Sequence, residues 1–331
     1  MRKTPRAYYL VVVVGLIAGF AVLVAAVRDV SLYKPPPIVT PGAVFRANDT
    51  EELPMPPEDW QYDEDQMLLF SNGIWEGYSS VPPSVGFYDW RKNELHKLSI
   101  PNLTPLNGYR LAQSPDSKLV AYSTLGVLHL YNVNSQTSIT VTQGDDPAFS
   151  PDGKHVSIWR DNRLVALNLE SSTEEVLYES PEIHWSRDRI VSVCCTIWSP
   201  TGTKVAYNIQ TEVNPQEKGW QNEGDKIVVL DLPTRQETVV ASGEFVGAPA
   251  WSPDGRLMVY INYPYREYSE LRLIDPAKQC MVGNLHLSTL SRSFWPPQGD
   301  IIAVTNASQG LYFINVEKVF GTTYTELKCP E

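Results

Sequence analysis

The stretch AWSPDGRLMVY, residues 250–260, is the clearest indication of the fold of this chain. It places Ser, Pro and Gly at the first, second and fourth positions of a type I turn, and a short apolar strand follows. The same phrase recurs along most of the sequence. The turn residues of the four clearest copies are Ser114, Pro115 and Asp116; Ser150, Pro151, Asp152 and Gly153; Ser199, Pro200 and Gly202; and Ser252, Pro253, Asp254 and Gly255.

A second marker repeats independently of the turn. Apolar segments rich in β-branched and aromatic residues end in Asp or Asn, whose side chains start turns by bonding the backbone two residues on. The markers are Asp89, Asn132, Asn168, Asp231, Asp275 and Asn315. Repeats of about 40–50 residues with several short strands each are typical of a β-propeller. We therefore predict an all-β fold over residues 58–331, a six-bladed propeller of four-stranded blades.

The WSPDG phrase with its downstream apolar strand ending in Asp resembles the WD40-like (PD40) repeats of TolB-type propellers. The resemblance covers about 58–331 and departs from the family pattern in the first and last units. It implies six blades, export from the cytoplasm, and binding rather than catalysis. Because one fold hosts many functions, the residues themselves have to support any activity.

The amino-terminal segment predicts a membrane anchor. Residues 8–27 are free of charged side chains, which suits a single transmembrane signal-anchor helix. The basic residues of the 1–7 tail keep that tail in the cytoplasm. A cleaved signal peptide is the alternative, and both predict an extracytoplasmic domain. Residues 28–57 contain seven prolines and predict an extended linker. We expect a single-pass protein of the cell membrane.

Composition and motifs argue against several functions. A net charge of −11, without a basic stripe beyond the first six residues, argues against nucleic-acid binding. The five His residues are scattered, no calcium loop is recognisable, and GYSSV at 77–81 lacks the last Gly of a nucleophile elbow. We predict no catalytic residues, no metal and no cofactor. Paired carboxylates across the ring keep a hydrolase or lyase open as the alternative.

The four cysteines give two expectations. Cys194 and Cys195 are adjacent on a predicted strand, so their side chains are expected on opposite faces as buried thiols. Cys280 and Cys329 fall in predicted outer strands of successive blades. Because blade edges splay apart at the rim, we expect no disulfide between them.

Insertions between the second and third strands of three units supply the candidate binding residues. In a four-stranded blade, these connections share one face with the links between blades. The aromatic residues of the insertions are Trp75, Tyr78, Trp220, Tyr263, Tyr265 and Tyr268. Exposed aromatics beside polar residues are typical of recognition surfaces, although long loops can also pack their aromatics onto neighbouring blades. We predict a non-enzymatic binding or scaffold module for a protein, peptide or cell-envelope glycan. The alternative is a hydrolase or lyase acting on a carbohydrate or peptide at the central funnel.

Overall fold

The turn motifs join antiparallel strands throughout the computed structural model. The structure describes residues 44–46, 66–71, 84–89, 94–100, 110–214, 219, 221–265, 268–287, 290–295, 300–306 and 311–330. The predicted anchor at 8–27 lies outside these residues. In the part of the chain that the structure describes, no helix has the length and apolar character needed to cross a membrane.

The described strands form six antiparallel sheets. A first strand, β1, covers Val44–Arg46. Sheet 1 contains β2 (Gln66–Ser71), β3 (Ser84–Asp89) and β4 (Glu94–Leu98). Sheet 2 contains β5 (Arg110–Gln113), β6 (Leu119–Thr124), β7 (Val127–Asn132) and β8 (Thr137–Gln143). Sheet 3 contains β9 (Asp145–Phe149), β10 (His155–Arg160), β11 (Arg163–Asn168) and β12 (Glu174–Glu179).

The remaining sheets continue the same pattern. Sheet 4 contains β13 (His184–Trp185), β14 (Arg189–Trp198), β15 (Lys204–Val213), β16 (Gln221–Asp231) and β17 (Gln236–Gly243). Sheet 5 contains β18 (Ala250–Trp251), β19 (Met258–Tyr265), β20 (Tyr268–Asp275) and β21 (Cys280–Leu287). Sheet 6 contains β22 (Leu290–Phe294), β23 (Ile301–Asn306), β24 (Leu311–Asn315) and β1. A helix α1 (Val316–Phe320) and a 3-10 turn (Tyr324–Glu326) follow.

Neighbouring sheets pack face to face, which confirms the all-β propeller. The first strand of sheet 2, β5, lies against the first strand of sheet 3, β9, and β9 lies in turn against β14 of sheet 4. The expectation of six four-stranded blades is not met by the described residues. Five sheets have four or five strands and form complete blades, whereas sheet 1 has three.

The first described strand completes the last sheet. β1 pairs with β24 through Val44↔Ile314, Phe45↔Phe313 and Arg46↔Tyr312. Residues 44–46 fall inside the predicted linker, yet this short run without proline pairs as an outer strand. The rest of the predicted linker lies outside the described residues. The pairing joins the beginning and the end of the propeller sequence in one sheet.

Apolar side chains of alternating strand positions fill the spaces between sheets. Trp159 of sheet 3 meets Tyr207 of sheet 4 edge to face, with ring centroids 5.1 Å apart. Between sheets 5 and 6, Leu257 and Leu273 pack in one cluster with Ile302. Tyr207, Leu257 and Ile302 are fully buried. Burial on both faces is what a stacked blade needs, and it explains why these strands read as nearly continuous apolar runs.

The repeated turn is held by its own side chains. In sheet 3, the Ser150 hydroxyl donates to Asp152 at 2.5 Å, and Asp152 accepts from the Lys154 backbone N–H at 3.1 Å. Equivalent Ser-to-Asp bonds occur at Ser114 and Ser252. The Asp of the motif therefore has a role in the turn that adds to the Pro and Gly preferences.

The turns also contact one another from blade to blade. Gly153 has φ +68°, a left-handed conformation that favours glycine, and its α-carbon faces the Pro115 ring of the preceding turn. Gly202 and Gly255 are left-handed as well and face Pro151 and Pro200 in the same way. We call this row of turns the turn ladder. It explains why both Pro and Gly recur in the motif.

A disulfide joins Cys280 to Cys329, which contradicts the expectation that these cysteines stay apart. The Cα atoms are 5.8 Å apart. Cys329 is not in an outer strand: it follows the 3-10 turn, in a tail that packs back onto the edge of sheet 5. Arg256 donates to the backbone oxygens of Tyr324 and Leu327 at 2.6 and 2.8 Å and holds this tail in place.

Candidate binding face

Backbone hydrogen bonds define two faces of the propeller. The turn ladder shares its face with the links between third and fourth strands, since the Val133 N–H donates to the Lys118 oxygen. On the opposite face, the Gly144 N–H donates to the Gly126 oxygen, which joins a link between sheets to a turn between second and third strands. We call this opposite side the loop face. The predicted division of connections between the two faces is confirmed.

Sheet 4 extends beyond the other sheets on the loop face. Strands β14, β15 and β16 have 10, 10 and 11 residues, and they remain paired to the ends through Arg189↔Val213 and Val213↔Gln221. We call residues 189–193, 209–213 and 221–226 the raised hairpin. The predicted insertion that contains Trp220 covers residues 210–225, and most of it is strand because β15 and β16 stay paired along it.

The predicted aromatic residues have different locations. Trp75, Tyr78 and Trp220 lie outside the described residues. Tyr263 is half-buried and packs against the apolar cluster between sheets 5 and 6, which is the alternative that the sequence left open. Tyr265 and Tyr268 are register partners at the loop-face end of β19 and β20, so the backbone brings these two positions together.

An aromatic residue that the sequence analysis missed stands on the loop face. Trp185 is 71% exposed and belongs to β13, which pairs with β14 on the side away from β15. In this sheet that side faces the centre of the ring. Trp185 therefore lies at the inner edge of the raised hairpin, exposed rather than packed into the core.

A fixed turn presents Trp185. The Ser186 N–H donates to the Arg189 oxygen at 2.8 Å, and the Ser186 hydroxyl donates to Asp188 at 3.0 Å. The Asp188 oxygen accepts from the Asn214 N–H, which ties this turn to the end of β15. The stretch Trp185-Ser186-Arg187-Asp188 repeats the Trp-Ser-x-Asp order of the turn motif. That likeness was the signal available in the sequence.

Charged residues of both signs lie on the raised hairpin. Arg189 pairs with Glu223 at 3.1 Å, and Lys226 pairs with Glu182. The Arg189 and Glu223 side chains are about half exposed, so the pair adds little to stability. An exposed aromatic with a polar border is the usual composition of a protein-binding surface.

A buried carboxylate anchors the base of the raised hairpin. Asp146, at the start of β9, is 3% exposed and accepts from the backbone N–H groups of Cys195 and Thr196, both at 2.8 Å. The Thr196 hydroxyl donates to the same carboxylate and accepts from the Trp159 indole N–H at 3.0 Å. These bonds lock the first strand of sheet 3 to β14 of sheet 4.

A second buried carboxylate holds the link between sheets 4 and 5. Asp225 accepts from the Val246 N–H at 3.1 Å and from the Asn222 amide at 3.3 Å. Burial raises the pKa of Asp225 and outweighs these hydrogen bonds, which lower it. Asn208 donates to the oxygens of Val246 and Gly247. The link beside the raised hairpin is thus fixed by buried polar groups.

The described residues show an arrangement suited to binding. Within the described ranges, no group of three or more His, Cys, Asp or Glu side chains is placed to hold a metal ion. The candidate site is the raised hairpin with Trp185, and the hairpin end at Tyr265 and Tyr268 lies on the same face in sheet 5. Its backbone is hydrogen-bonded to the ends, so it needs little ordering on binding.

Comparison with known proteins finds no matching family model and no matching curated relative. Similar solved structures include TolB from Acinetobacter baumannii, with 12% identity, 75% of this chain and 63% of that chain covered, and a TM-score of 0.48. A putative TolB from Agrobacterium tumefaciens has 18% identity, with 69% and 79% covered and a TM-score of 0.49. An oligogalacturonate lyase from Vibrio parahaemolyticus has 14% identity, with 63% and 74% covered and a TM-score of 0.38.

These likenesses are limited to the fold. The chain spans less than two thirds of the Acinetobacter TolB that it matches. The assignment as a propeller rests on the order of strands and sheets in this chain.

Proposed function

We propose that this chain is a non-enzymatic binding module that captures a protein or peptide on its loop face. The observation that carries the proposal is Trp185, 71% exposed on a hydrogen-bonded turn at the inner edge of the raised hairpin. A large aromatic side chain that stays exposed after folding is a candidate binding residue, since aromatic side chains contribute much of the binding energy at interfaces. The predicted anchor at 8–27 would hold this module at the outer surface of the cell membrane.

The surroundings of Trp185 favour a protein or peptide over a glycan. The ion pairs Arg189–Glu223 and Lys226–Glu182 place both signs of charge on the raised hairpin, whose strand β14 pairs with the strand of Trp185. These charges can pair with a peptide that carries both signs of charge. The pairing would fix the position in which the peptide binds. We include Trp75, Tyr78, Trp220, Tyr265 and Tyr268 in the proposed surface, because the sequence predicts that the insertions that carry them lie on this face.

We also propose that the ring contains six blades. Sheet 1 has three described strands, and a fourth strand preceding β2 would make it equivalent to the five complete blades. The turn-like stretch DEDQ at 63–66 stands where the repeated turn occurs in the other units. A blade count by crystallography or cryo-electron microscopy tests this proposal, and a closed ring of five blades would contradict it.

Selection from a displayed peptide library, with a glycan panel beside it, tests the proposed function. The immobilised chain should enrich peptides that bind the wild type and lose at least about tenfold in affinity against Trp185→Ala. The matched control is Leu125→Ala, which removes another exposed apolar side chain of the loop face, away from sheet 4. Peptides that bind Trp185→Ala as tightly as the wild type would contradict the proposal. Glycan binding alone, or turnover of a glycan or peptide, would point to the other candidate functions.

A further inference from the structure

The backbone brings the two adjacent cysteines together, contrary to the expectation of opposite faces. Between Cys194↔Asn208 and Ile197↔Ala206, strand β14 has one residue more than β15, which is a β-bulge. Cys195 lies in this bulge with φ +64°, a conformation rare for residues other than glycine. This rotation turns its side chain toward that of Cys194. The two Sγ atoms are 2.8 Å apart, and the Cys195 thiol donates to Cys194 Sγ.

We propose that Cys194 and Cys195 form a dithiol site that is reversibly oxidised to a vicinal disulfide. A disulfide bond is about 2.05 Å long, so the sulfur atoms need to approach by less than about 1 Å. Cys194 is buried and Cys195 is partly exposed, so Cys195 is the thiol that an external disulfide reaches first. The Cys280–Cys329 bond shows that this fold already accommodates one disulfide.

The oxidant is a small disulfide of the glutathione class. The Cys195 thiolate attacks one sulfur of the oxidant and releases the first thiol, which leaves a mixed disulfide on Cys195. The Cys194 thiolate then attacks Cys195 Sγ and releases the second thiol. The two cysteines lose two electrons and two protons, and the oxidant becomes two thiols. The ring of adjacent cysteines is small and strained, so an excess of thiol reverses the reaction.

The site lies where oxidation would affect the contact between two blades. The Cys195 N–H is one of the donors to buried Asp146, next to the Thr196 N–H. Closing the ring fixes the peptide unit between the two cysteines. We therefore expect amide hydrogen exchange at residues 195–196 to differ between the reduced and oxidised chains.

Peptide mass mapping after treatment with oxidised glutathione tests the proposal. The wild-type peptide containing both cysteines should lose the mass of two hydrogen atoms and carry no glutathione. In Cys194→Ser, Cys195 should instead retain glutathione as a stable mixed disulfide. A wild-type peptide that keeps glutathione on Cys195, or that stays reduced while Cys194→Ser is modified, would overturn the proposal. The mapping of the wild type needs no variant, so the test survives if the substitution impairs folding.

A trivalent arsenical gives a second, independent measurement. Phenylarsine oxide condenses with two neighbouring thiols and releases water, so the wild type with Cys194 and Cys195 as thiols and the Cys280–Cys329 disulfide intact should bind one arsenical per chain. Cys194→Ser and Cys195→Ser should each lose this binding by at least tenfold in affinity. Equal binding by the wild type and both variants would contradict a dithiol site.

Discussion

The two faces of the propeller are built differently. On the face that carries the turn ladder, which we call the turn face, the turns at Ser114, Ser150 and Ser252 have the same Ser-to-Asp hydrogen bond, and glycines of three successive turns face prolines of the turns before them. On the loop face, the connections between second and third strands differ in length, from the two-residue turn at 125–126 to the extended strands of the raised hairpin. Repetition therefore serves the packing of blades, whereas a specific surface can arise where the repetition is broken.

The largest expected effect concerns the tail at the turn face. Cys280→Ser, alone or with Cys329→Ser, should lower the free energy of unfolding by about 4 kcal/mol, because the bond closes a long loop in the unfolded chain. Denaturant unfolding with and without a reductant measures this. The double variant should be no less stable than either single variant. If the reductant destabilises the double variant as much as the wild type, the bond is not the source of the effect.

The two faces do not differ completely, because one buried carboxylate stabilises the fold from the loop face. This carboxylate is Asp146, at the base of the raised hairpin. Asp146→Ala should cost about 3 kcal/mol, because it leaves the N–H groups of Cys195 and Thr196 buried without their acceptor. The matched control is its exposed neighbour, Asp145→Ala, expected within about 0.5 kcal/mol of the wild type. Equal effects of the two substitutions on urea unfolding would refute the assigned role of Asp146.

The turn ladder should be sensitive to its backbone conformation. Gly153→Ala should cost about 1–2 kcal/mol, since alanine is strained at φ +68° although its Cβ has room 3.5 Å from the Pro115 ring. Gly153→Asn should cost less, because asparagine tolerates the left-handed region. Thermal unfolding distinguishes them. An alanine variant as stable as the wild type would argue against strain at this turn.

Acid should weaken the turn face through its aspartates. The hydrogen bond from Ser150, followed by that from Lys154, lowers the pKa of Asp152. Burial opposes ionisation of Asp116, but hydrogen bonds from Ser114 and Lys118 outweigh it and lower this pKa too. Since the folded pKa lies below the unfolded value, the stabilisation is complete above about pH 4 and is lost as the pH falls through the folded pKa.

Both carboxyl groups are largely exposed, so each should contribute less than about 1 kcal/mol. Melting temperatures measured from about pH 6 down to about pH 3 should fall more steeply for the wild type than for Asp152→Asn. Parallel curves for the two proteins would show that Asp152 does not contribute.

The sequence predicts the repeated part of this fold and misses the parts formed by distant segments. The turn residues at 150–153 and the Asx markers act locally, so the sequence reveals them; Asn168 accepts from the Glu170 and Ser171 N–H groups as expected. The pairing of β1 with β24 and the Cys280–Cys329 bond join residues far apart in sequence, and no local preference encodes them.

The candidate site was predictable only in part. The division into two faces follows from strand order, and the sequence located insertions on the loop face. It treated them as irregular loops because strand extension depends on pairing between β14, β15 and β16. It missed Trp185 because a two-residue strand is too short to show a pattern, and it placed Tyr263 on a binding surface although Tyr263 packs on the core.

We expect the turn face to stabilise the propeller and the loop face to bind a partner. Two measurements on the same pair of variants test both roles. Thermal unfolding and affinity for a selected peptide ligand should be measured on Trp185→Ala and Gly153→Ala together. We predict that Trp185→Ala unfolds within about 0.5 kcal/mol of the wild type but loses about 30-fold in affinity, whereas Gly153→Ala is less stable and binds normally. A Trp185→Ala variant that is destabilised and still binds as tightly as the wild type would contradict the claim.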